Sequence, residues 1–398
     1  MSEYESDLSQ LVYELNRSLP GAKPQPNDKA GIGAEIGAEF GIDKKSALDS
    51  FLVQAAERNA SDIILVAGSA TTLRVNGLLT PATGKVLSAE DLRRLLLPLL
   101  TTEQTRELES RRVLDFCFVR RATGRFRANI HYQRGTLAAS IRLLPSQIPT
   151  LESLHLPPVL GQLIERRQGL ILLTGPTGCG KTSTMAALIN MINARRREHI
   201  ITIEDPVEYQ HPNRNSIVEQ IEVGDDTPSF SHAVRAVLRQ NPDVILIGEM
   251  RDTETMAAAL TAAETGHLVF SSLHTNDAAQ TMSRLLDSFP AGNQAQIRQQ
   301  LSLALLAVIA QQLVPAIGQA GRYPALEIMV ATTAIRNLIR TAQDHQIRSQ
   351  ISTGSADGMT TMDQSLAELV RTRRISPETA LAHCYHPDEL RSMMNRIS

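Results

Sequence analysis

The sequence predicts an α/β protein, and three observations support this fold class. Apolar strands alternate with amphipathic helices from about residue 149 to about 315, the order expected for a parallel sheet covered by helices. A glycine-rich sequence with the spacing of a phosphate-binding loop lies between one of these strands and the next helix. Before this region, residues 47–148 mix helices with alternating strands, which predicts an α+β domain.

The chain is expected to divide into an N-terminal extension and two domains. Residues 8–19 place apolar side chains on one helical face, and a linker rich in Pro, Gly and Ala follows, so residues 1–46 are expected to form the extension. The short helix either packs loosely or docks on a partner or on the body of the protein. The domains are then predicted at 47–148 and 149–398, and the end of the second is expected to be mostly helical.

The composition argues against nucleic-acid binding and against a disulfide framework. The net charge is −2, aromatic residues make up 4% of the chain and Trp is absent, so neither a basic nor a base-stacking surface is indicated. The three cysteines, Cys117, Cys179 and Cys384, are far apart and form no C-x-x-C pair. The longest apolar stretch, near residues 301–310, is shorter than the roughly 20 residues of a membrane-spanning helix. We expect a cytoplasmic protein that reaches a membrane only through a partner.

The region 47–148 is predicted from local patterns. Helical spacing predicts a helix over residues 47–60, and short strands and turns follow. Ser88 and Asp91 have the spacing of a capping box at the start of the next helix. In residues 124–145 polar and apolar side chains alternate on two strands, which predicts a hairpin with Arg125, Arg127 and Arg142 on its polar faces.

The strongest signal is the stretch from Gly175 to Thr182, which fits the pattern G-x-x-x-x-G-K-[ST]. An apolar strand, Leu170–Leu173, precedes it and an amphipathic helix follows, which is the context that a phosphate-binding loop requires. Its backbone N–H groups and the start of the helix favour phosphate oxygens. The alternative is a glycine-rich turn without a ligand.

ATP and Mg²⁺ are the expected ligands of this loop. Lys181 is expected to reach the β- and γ-phosphates, and Thr182 to ligate Mg²⁺. Cys179 occupies a free position of the pattern and is expected to be passive, although a thiol there is open to oxidation. The residues expected to bind nucleotide are Gly175, Pro176, Thr177, Gly178, Cys179, Gly180, Lys181, Thr182 and Ser183.

Two further strands run into acidic residues. Glu204 directly follows Ile200–Ile203, and residues past the carboxyl ends of parallel strands line the site, so Glu204 is a candidate to orient or deprotonate the attacking water. A helix-capping or ion-pair role is the alternative. In residues 243–252, DVILIGEMRD, Asp243 precedes the strand and Glu249 follows it, so Glu249 is the acid expected near Mg²⁺. The residues alone do not decide which glutamate takes the proton.

A polar cluster follows a third strand. His274 lies just past the strand end, with Ser271, Ser272 and Thr275 around it. At this edge of the sheet such a cluster is expected to sense the γ-phosphate. A purely structural role is the alternative.

Four segments together resemble the PilT family of type IV pilus retraction ATPases, within the secretion ATPase superfamily. They read GPTGCGKT, ITIEDPVEY, ILIGEMRD and TGHLVFSSLHTNDA, and they stand in the family's order. Residues 334–340, AIRNLIR, match a motif typical of PilT. The stretch from Val314 to Tyr323 lacks the four cysteines that pilus-assembly and type II secretion ATPases usually carry there.

The resemblance implies a hexameric ring whose subunits each carry a PAS-like domain and a RecA-like ATPase domain with ATP between them. It implies that Glu204 is the catalytic base, that Glu249 is an atypical Walker B acid, and that Arg125, Arg127 or Arg142 contacts phosphate as the domains close. A solvated sheet face is the alternative for each arginine. The implied partners are an inner-membrane pilus platform protein and, as a suggestion, a paralogous pilus ATPase, which would place the protein peripherally at the inner membrane.

Three rival functions stay open at this point. A pilus-assembly or secretion ATPase of the same superfamily is disfavoured by the missing cysteines and by AIRNLIR. A non-hydrolysing accessory subunit is disfavoured by the presence of Lys181, Glu204 and Glu249. A DNA-translocating motor is disfavoured by the charge balance. In AIRNLIR, Ile335, Leu338 and Ile339 share a helical face and two arginines lie on the other, so the motif either packs or couples to a ring or platform partner.

Overall fold

The computed structural model describes residues 47–75, 77–121, 123–318 and 321–395. These residues form one sheet of six strands and one of seven. The predicted helix over residues 8–19 and the linker that follows it lie outside the described residues.

The first sheet is antiparallel and is covered by helices on its apolar side. Its strands are β1 (Asp62–Val66), β2 (Ala70–Val75), β3 (Leu78–Val86), β4 (Val113–Arg120), β5 (Gly124–Gln133) and β6 (Thr136–Leu143), and its helices are α1 (Ala47–Glu57), α2 (Ala89–Leu96) and α3 (Thr102–Arg111). The strand order is β3–β2–β1–β6–β5–β4. Alternate apolar side chains of the strands pack with the helices in one core, as the pattern predicted.

The predicted hairpin and the predicted capping box are both present. Strands β5 and β6 pair directly, and Arg127 lies opposite Arg142. Arg142 also lies opposite Asp62 of β1, so this charged row crosses three strands. Ser88 and Asp91 exchange the two reciprocal hydrogen bonds of a capping box at the start of α2.

The second sheet is mostly parallel and carries the phosphate-binding loop. Its strands are β7 (Gly169–Thr174), β8 (His199–Glu204), β9 (Ile217–Glu222), β10 (Val244–Ile247), β11 (Leu268–Leu273), β12 (Leu305–Pro315) and β13 (Arg322–Val330). They lie in the order β13–β12–β7–β11–β10–β8–β9, and only β13 is antiparallel to its neighbour among these described strands. The central strands β7, β10 and β11 are buried along their whole length, which explains their continuous apolar sequences.

Helices cover both faces of the second sheet, so its fold class is α/β as predicted. They are α4 (Val159–Leu163), α5 (Lys181–Arg195), α6 (Phe230–Val237), α7 (Thr253–Glu264), α8 (Ala278–Asp287) and α9 (Gln294–Ala304). One apolar core lies on each face of the sheet. The crossovers bring the carboxyl ends of β7, β8, β10 and β11 to the same edge.

The C-terminal part is helical except for one strand, which the sequence patterns did not predict. Its helices are α10 (Thr333–Arg340), α11 (Ile347–Thr353), α12 (Met362–Arg371), α13 (Pro377–His383) and α14 (Pro387–Asn395). The expectation of a mostly helical end was wrong for Arg322–Val330, which forms β13. This strand pairs with β12 over nine residues, a long-range contact that local periodicity does not report. Likewise, the apolar stretch at 301–310 is divided between α9 and β12.

The AIRNLIR helix packs as expected on its apolar side, but Arg336 is not free. Ile335, Leu338 and Ile339 are buried. The guanidinium of Arg336 donates to four backbone carbonyls, those of Ala331, Ser302, Leu303 and Leu305. It therefore closes the C-terminal end of α9, whereas Arg340 bonds within its own helix.

Among the described residues, no helix combines the length and the apolar character that crossing a bilayer requires.

Candidate active site

The phosphate-binding loop connects β7 to α5 and depends on three glycines. Gly175, Gly178 and Gly180 have φ angles of 136°, 78° and 92°, which glycine adopts without strain. A Cβ on Gly175 would also lie 2.3 Å from the backbone oxygen of Gln311. Because α5 begins at Lys181, its first N–H groups have no acceptor within the helix. Loop and helix start together form a cradle for phosphate.

Gln311 of β12 supports this loop, a role that the sequence motifs do not predict. Its buried Nε2 donates to the backbone oxygen of Cys179 at 2.6 Å, and its Oε1 accepts from Thr184 Oγ1 at 2.9 Å. The loop and the first turn of α5 are thereby tied to the neighbouring strand. The partners are 132 and 127 residues away along the chain, so no local pattern contains this signal.

Lys181 and Cys179 are both buried within the loop. Lys181 Nζ donates to the backbone oxygens of Gly175 at 2.8 Å and Pro176 at 3.2 Å. In a complex with nucleotide, phosphate oxygens would take the place of these two backbone oxygens as acceptors. Burial lowers the pKa of Lys181, and the negative charge of Glu249 acts in the opposite direction. Burial raises the pKa of the Cys179 thiol, which favours the unreactive protonated form.

Glu249 lies just past the end of β10, at the same sheet edge as the loop. Its Oε1 is 2.5 Å from the Arg251 guanidinium, and its Oε2 is 3.6 Å from His274 Nε2. Asp243 lies at the opposite end of the strand, where it accepts a hydrogen bond from a backbone N–H of β8 at 2.8 Å. The predicted strand polarity therefore holds, and Glu249 is the acid whose charge reaches Lys181.

Glu204 ends β8 and is held by neutral donors. Its Oε1 accepts from Thr202 Oγ1 at 2.7 Å and from Gln220 Nε2 at 3.1 Å. Burial raises the pKa of Glu204, and the two hydrogen bonds act against that rise. Among the described residues, Glu204 takes part in no ion pair, so this carboxylate is not neutralised by a cation. It thus combines a raised pKa with a place at the same edge of the sheet as the loop, with two strands between β8 and β7.

Glu208 brings the hairpin arginines close to the phosphate-binding loop. Burial raises the pKa of Glu208. The positive charges of Arg142 and Arg127 and a hydrogen bond with Thr182 pull that pKa in the opposite direction. Arg142 is at the same time paired with Asp62 at 2.9 Å. The carboxylate of Glu208 therefore lies between the expected metal ligand of α5 and two cations of the first sheet.

Two further hydrogen bonds connect the segment around Glu208 to the first sheet and to helix α5. Arg125 Nη1 donates to the backbone oxygen of Val207 at 3.0 Å. The Tyr209 hydroxyl and Ser183 Oγ lie 2.8 Å apart, which connects the segment to the first turn of α5. Of the three hairpin arginines, Arg125 is thus the one already bonded to this segment. Tyr209 was not predicted as a site residue, although it stands in the quoted ITIEDPVEY sequence.

Two of the three hydroxyl groups around His274, those of Ser272 and Thr275, are engaged in local contacts. Ser272 Oγ donates to the backbone oxygen of Gly248 at 2.6 Å, and Thr275 Oγ1 lies 2.6 Å from Thr281 Oγ1. His274 is half exposed and is the member of this cluster that faces Glu249. These two hydroxyls hold the neighbouring turns, whereas Ser271 Oγ is buried without a hydrogen-bond partner among the described residues. The half-exposed imidazole of His274 is the member of the cluster that a ligand can reach from solvent.

The arrangement fits a nucleotide with a hard divalent cation. A Cβ at Gly175 or Gly180 would meet Gln311 within 3 Å, so glycine at both positions lets the loop pack on β12. The positive φ angles of these glycines give the loop the conformation of a phosphate-binding turn. Thr182 Oγ1 and the Glu249 carboxylate are oxygen groups of the kind that Mg²⁺ prefers and would hold the ion. Lys181 would supply the cation for the phosphates.

A comparison with protein families matches residues 140–375 to the type II/IV secretion system protein family. The chain belongs to this family. Within it, the chain is similar to the twitching motility protein of Neisseria gonorrhoeae, with 44% identity over 77% of this chain and 82% of that protein. It is also similar to the type IV pilus retraction ATPase PilT of Pseudomonas aeruginosa, with 42% identity over 84% of this chain and 96% of that protein.

A solved structure of a PilT protein has the same fold as this chain. A crystal structure of the pilus retraction motor PilT with bound ADP superposes with a TM-score of 0.81 at 45% identity, covering 86% of this chain and 98% of that chain. The resemblance to PilT-type ATPases read from the four sequence segments is therefore confirmed, as is the predicted fold class.

Proposed function

We propose that the protein is an ATP-hydrolysing motor that drives type IV pilus retraction. The observation that carries the ATPase is the meeting of the phosphate cradle, Lys181, Glu249 and Glu204 at one edge of the sheet. Retraction is supported by the similarity to proteins named for twitching motility and pilus retraction. No local chemistry in the site encodes the direction of work.

In the proposed mechanism the loop binds the phosphates of ATP and Lys181 neutralises their charge. Residues 175–183 would wrap the β-phosphate, with backbone N–H groups as the donors. Thr182 and Glu249 would hold Mg²⁺, which supplies charge neutralisation on the transferring phosphoryl oxygens when bound. His274, beside Glu249, would contact the γ-phosphate side of the site.

In the proposed mechanism, Glu204 is the general base that accepts the proton of the attacking water. Its carboxylate lies among neutral donors and its pKa is raised by burial, so it is a stronger base than an ordinary glutamate. Glu249 is paired with Arg251, and its charge acts on Lys181 in the phosphate-binding loop. This difference supports the division of base and metal ligand between the two residues.

The hairpin arginines are assigned a role in domain closure. We take residues 47–148 and 149–398 as the two moving domains. When the cradle is filled, Arg127 and Arg142 would exchange Glu208 for the γ-phosphate, with Arg125 anchoring the intervening segment. Positive charge beside the transferring phosphoryl group stabilises its transition state.

The motor is proposed to act as a homohexamer in the cytoplasm, peripherally at the inner membrane. Its closing motion would be passed to an inner-membrane pilus platform protein, and a paralogous pilus ATPase is a further proposed partner. Nucleic acid is not among the proposed partners.

A deletion strain, complemented with wild type or with Glu204→Gln, tests the function. Cells without the gene are expected to carry many surface pili but not to move on surfaces, and only the wild-type gene is expected to restore movement. A deletion strain without pili would instead support a pilus-assembly motor. Purified protein without Mg²⁺-dependent ATPase activity, with Lys181→Ala making no difference, would support a non-hydrolysing accessory subunit.

A further inference from the structure

Two neighbouring glutamines of β12 reach different parts of the site. Gln311 supports the phosphate-binding loop, as described above. Gln312, next to it, points to the other side of the strand, since side chains alternate along β-strands. Its Nε2 donates to the hydroxyl of Tyr385 at 2.7 Å.

Tyr385 connects Gln312 to the loop that carries His274. Its hydroxyl donates to the backbone oxygen of Asn276 at 2.9 Å. Asn276 follows His274 by two residues and precedes helix α8. The Tyr385 hydroxyl thus accepts a hydrogen bond from Gln312 of β12 and donates one to the backbone of the loop. Through this one side chain the loop is connected to β12.

Tyr385 is itself fixed by the C-terminal helices. It lies between α13 and α14, and its backbone N–H donates to Oδ1 of the buried Asp363 at 2.9 Å. The other carboxylate oxygen of Asp363 lies 3.0 Å from His386 Nδ1. Burial raises the pKa of Tyr385 to about 12, so the hydroxyl keeps the proton that it donates to the loop.

The same loop is held on its other side by Glu327 of β13. The buried Oε1 of Glu327 accepts from the backbone N–H of Ala278 at 2.9 Å. The backbone from His274 to the first residue of α8 is therefore held at two points, Asn276 and Ala278. Both contacts come from outside the segments that carry the proposed nucleotide chemistry.

We propose that Tyr385, held by Gln312, is a positioning residue that sets the loop carrying His274 and couples the C-terminal helices to the nucleotide site. The proposal rests on the proposed ATPase function, because His274 is taken to act at the γ-phosphate side. It adds that a part of the chain remote from the phosphate loop controls turnover through one hydroxyl group.

Tyr385→Phe is the decisive variant, because it removes the hydroxyl and keeps the ring. Loss of one hydrogen bond that orients a site residue is expected to lower kcat roughly three- to tenfold, with the KM for ATP changed less than about twofold. Tyr323→Phe is the matched control. The Tyr323 hydroxyl accepts from Arg374 Nη1 at 2.9 Å in the same C-terminal region, and it does not bond to the His274 loop. This control is expected to keep wild-type turnover.

Combined variants separate positioning from a general loss of structure. Tyr385→Phe together with Gln312→Ala is expected to lower kcat no further than the stronger single change, since both break one chain of hydrogen bonds. In a His274→Ala background, Tyr385→Phe is expected to have no further effect. An undiminished effect in that background would overturn the proposal, because the tyrosine would then act by another route.

The failure of this proposal is distinguishable from failure of the proposed function. Wild-type turnover in Tyr385→Phe, with an active wild-type enzyme, overturns only the positioning role. An inactive wild-type protein overturns the ATPase function and the positioning role with it.

Discussion

At the scale of single residues, the site divides its two glutamates by their surroundings. Glu249 lies beside Arg251, and its charge acts on Lys181. Glu204 accepts hydrogen bonds from Thr202 and Gln220, and burial raises its pKa. A carboxylate that binds a cation must stay charged, whereas one that takes a proton benefits from a higher pKa. These surroundings support the proposal that Glu204 is the base.

Glu204→Gln is expected to abolish turnover and to leave ATP binding intact. The amide has the shape of the carboxyl group but cannot take a proton, and a general base contributes about 10²–10⁴ in rate. The variant is therefore expected to lose at least about a hundredfold in kcat, while its affinity for ATP changes less than about threefold. Steady-state ATPase assays and nucleotide titration measure the two quantities.

Glu219→Gln is the control for this substitution, because Glu219 lies on the adjacent strand β9 and its carboxylate contacts His199 on the exposed side. It is expected to behave as wild type. Full activity in Glu204→Gln, together with complete loss in Glu249→Gln, would reassign the base to Glu249.

Glu327 is expected to make stability depend on pH near neutrality. Burial raises its pKa to about 7, from 4.5 in the unfolded chain. As pH rises from about 4.5 to 7, Glu327 releases its proton in the unfolded chain but keeps it in the folded protein. The free energy of unfolding therefore falls over this interval, and it stays at the lower value above pH 7. Glu327→Gln keeps the acceptor for Ala278 without the charge, and is expected to gain up to about 3 kcal/mol over wild type at pH 8 but little at pH 5.

Urea unfolding of wild type and Glu327→Gln at both pH values measures this difference. The exposed Glu109 provides the control substitution to Gln, which is expected to change stability equally at both pH values. A difference for Glu327→Gln that does not grow with pH would show that this carboxyl group titrates normally in the folded protein.

At the scale of elements, local patterns predicted those parts whose signals are local. The capping box at Ser88, the hairpin over residues 124–145 and the strand–loop–helix around Gly175 each lie within about 25 residues of chain, and each was predicted correctly. Strand β13 was missed because its partner β12 decides its conformation. Gln311 and Tyr385 were missed for the same reason, since their roles depend on contacts more than 100 residues away.

Arg336 of the AIRNLIR helix is expected to stabilise the end of α9. Its planar guanidinium donates to four carbonyls at once, which one lysine cannot reproduce. Arg336→Ala is expected to lower the free energy of unfolding by about 3 kcal/mol, and Arg336→Lys to recover less than half of it. Arg340→Ala, in the same motif, is the control and is expected to cost less than about 0.5 kcal/mol, because Arg340 bonds only to Asn337 among the described residues.

Urea denaturation measures these values. If Arg336→Ala had wild-type stability and ATPase activity but cells that express it did not move, AIRNLIR would act through a partner rather than through packing.

At the scale of the whole molecule, one short segment connects the two sheets at the nucleotide site. Residues 205–209 follow Glu204 and bond to the hairpin through Val207 and to α5 through Tyr209. Glu208, between them, lies within reach of the hairpin arginines. A change at the phosphate loop therefore has a direct mechanical path to the first sheet, which is the property that a motor with two moving domains requires.

Arg127 and Arg142 are expected to act on turnover and not on ground-state binding. In the present arrangement their charges face Glu208, so they become available to phosphate only as the domains close. Interactions made in the transition state alone lower kcat without raising KM. Arg127→Ala and Arg142→Ala are therefore each expected to lower kcat by roughly a hundredfold, with the affinity for ATP changed less than about threefold. Arg121→Ala, an exposed arginine after β4, is the control and is expected to keep wild-type values. If neither variant lowers kcat while Arg125→Ala does, Arg125 contacts phosphate and the other two form a solvated sheet face.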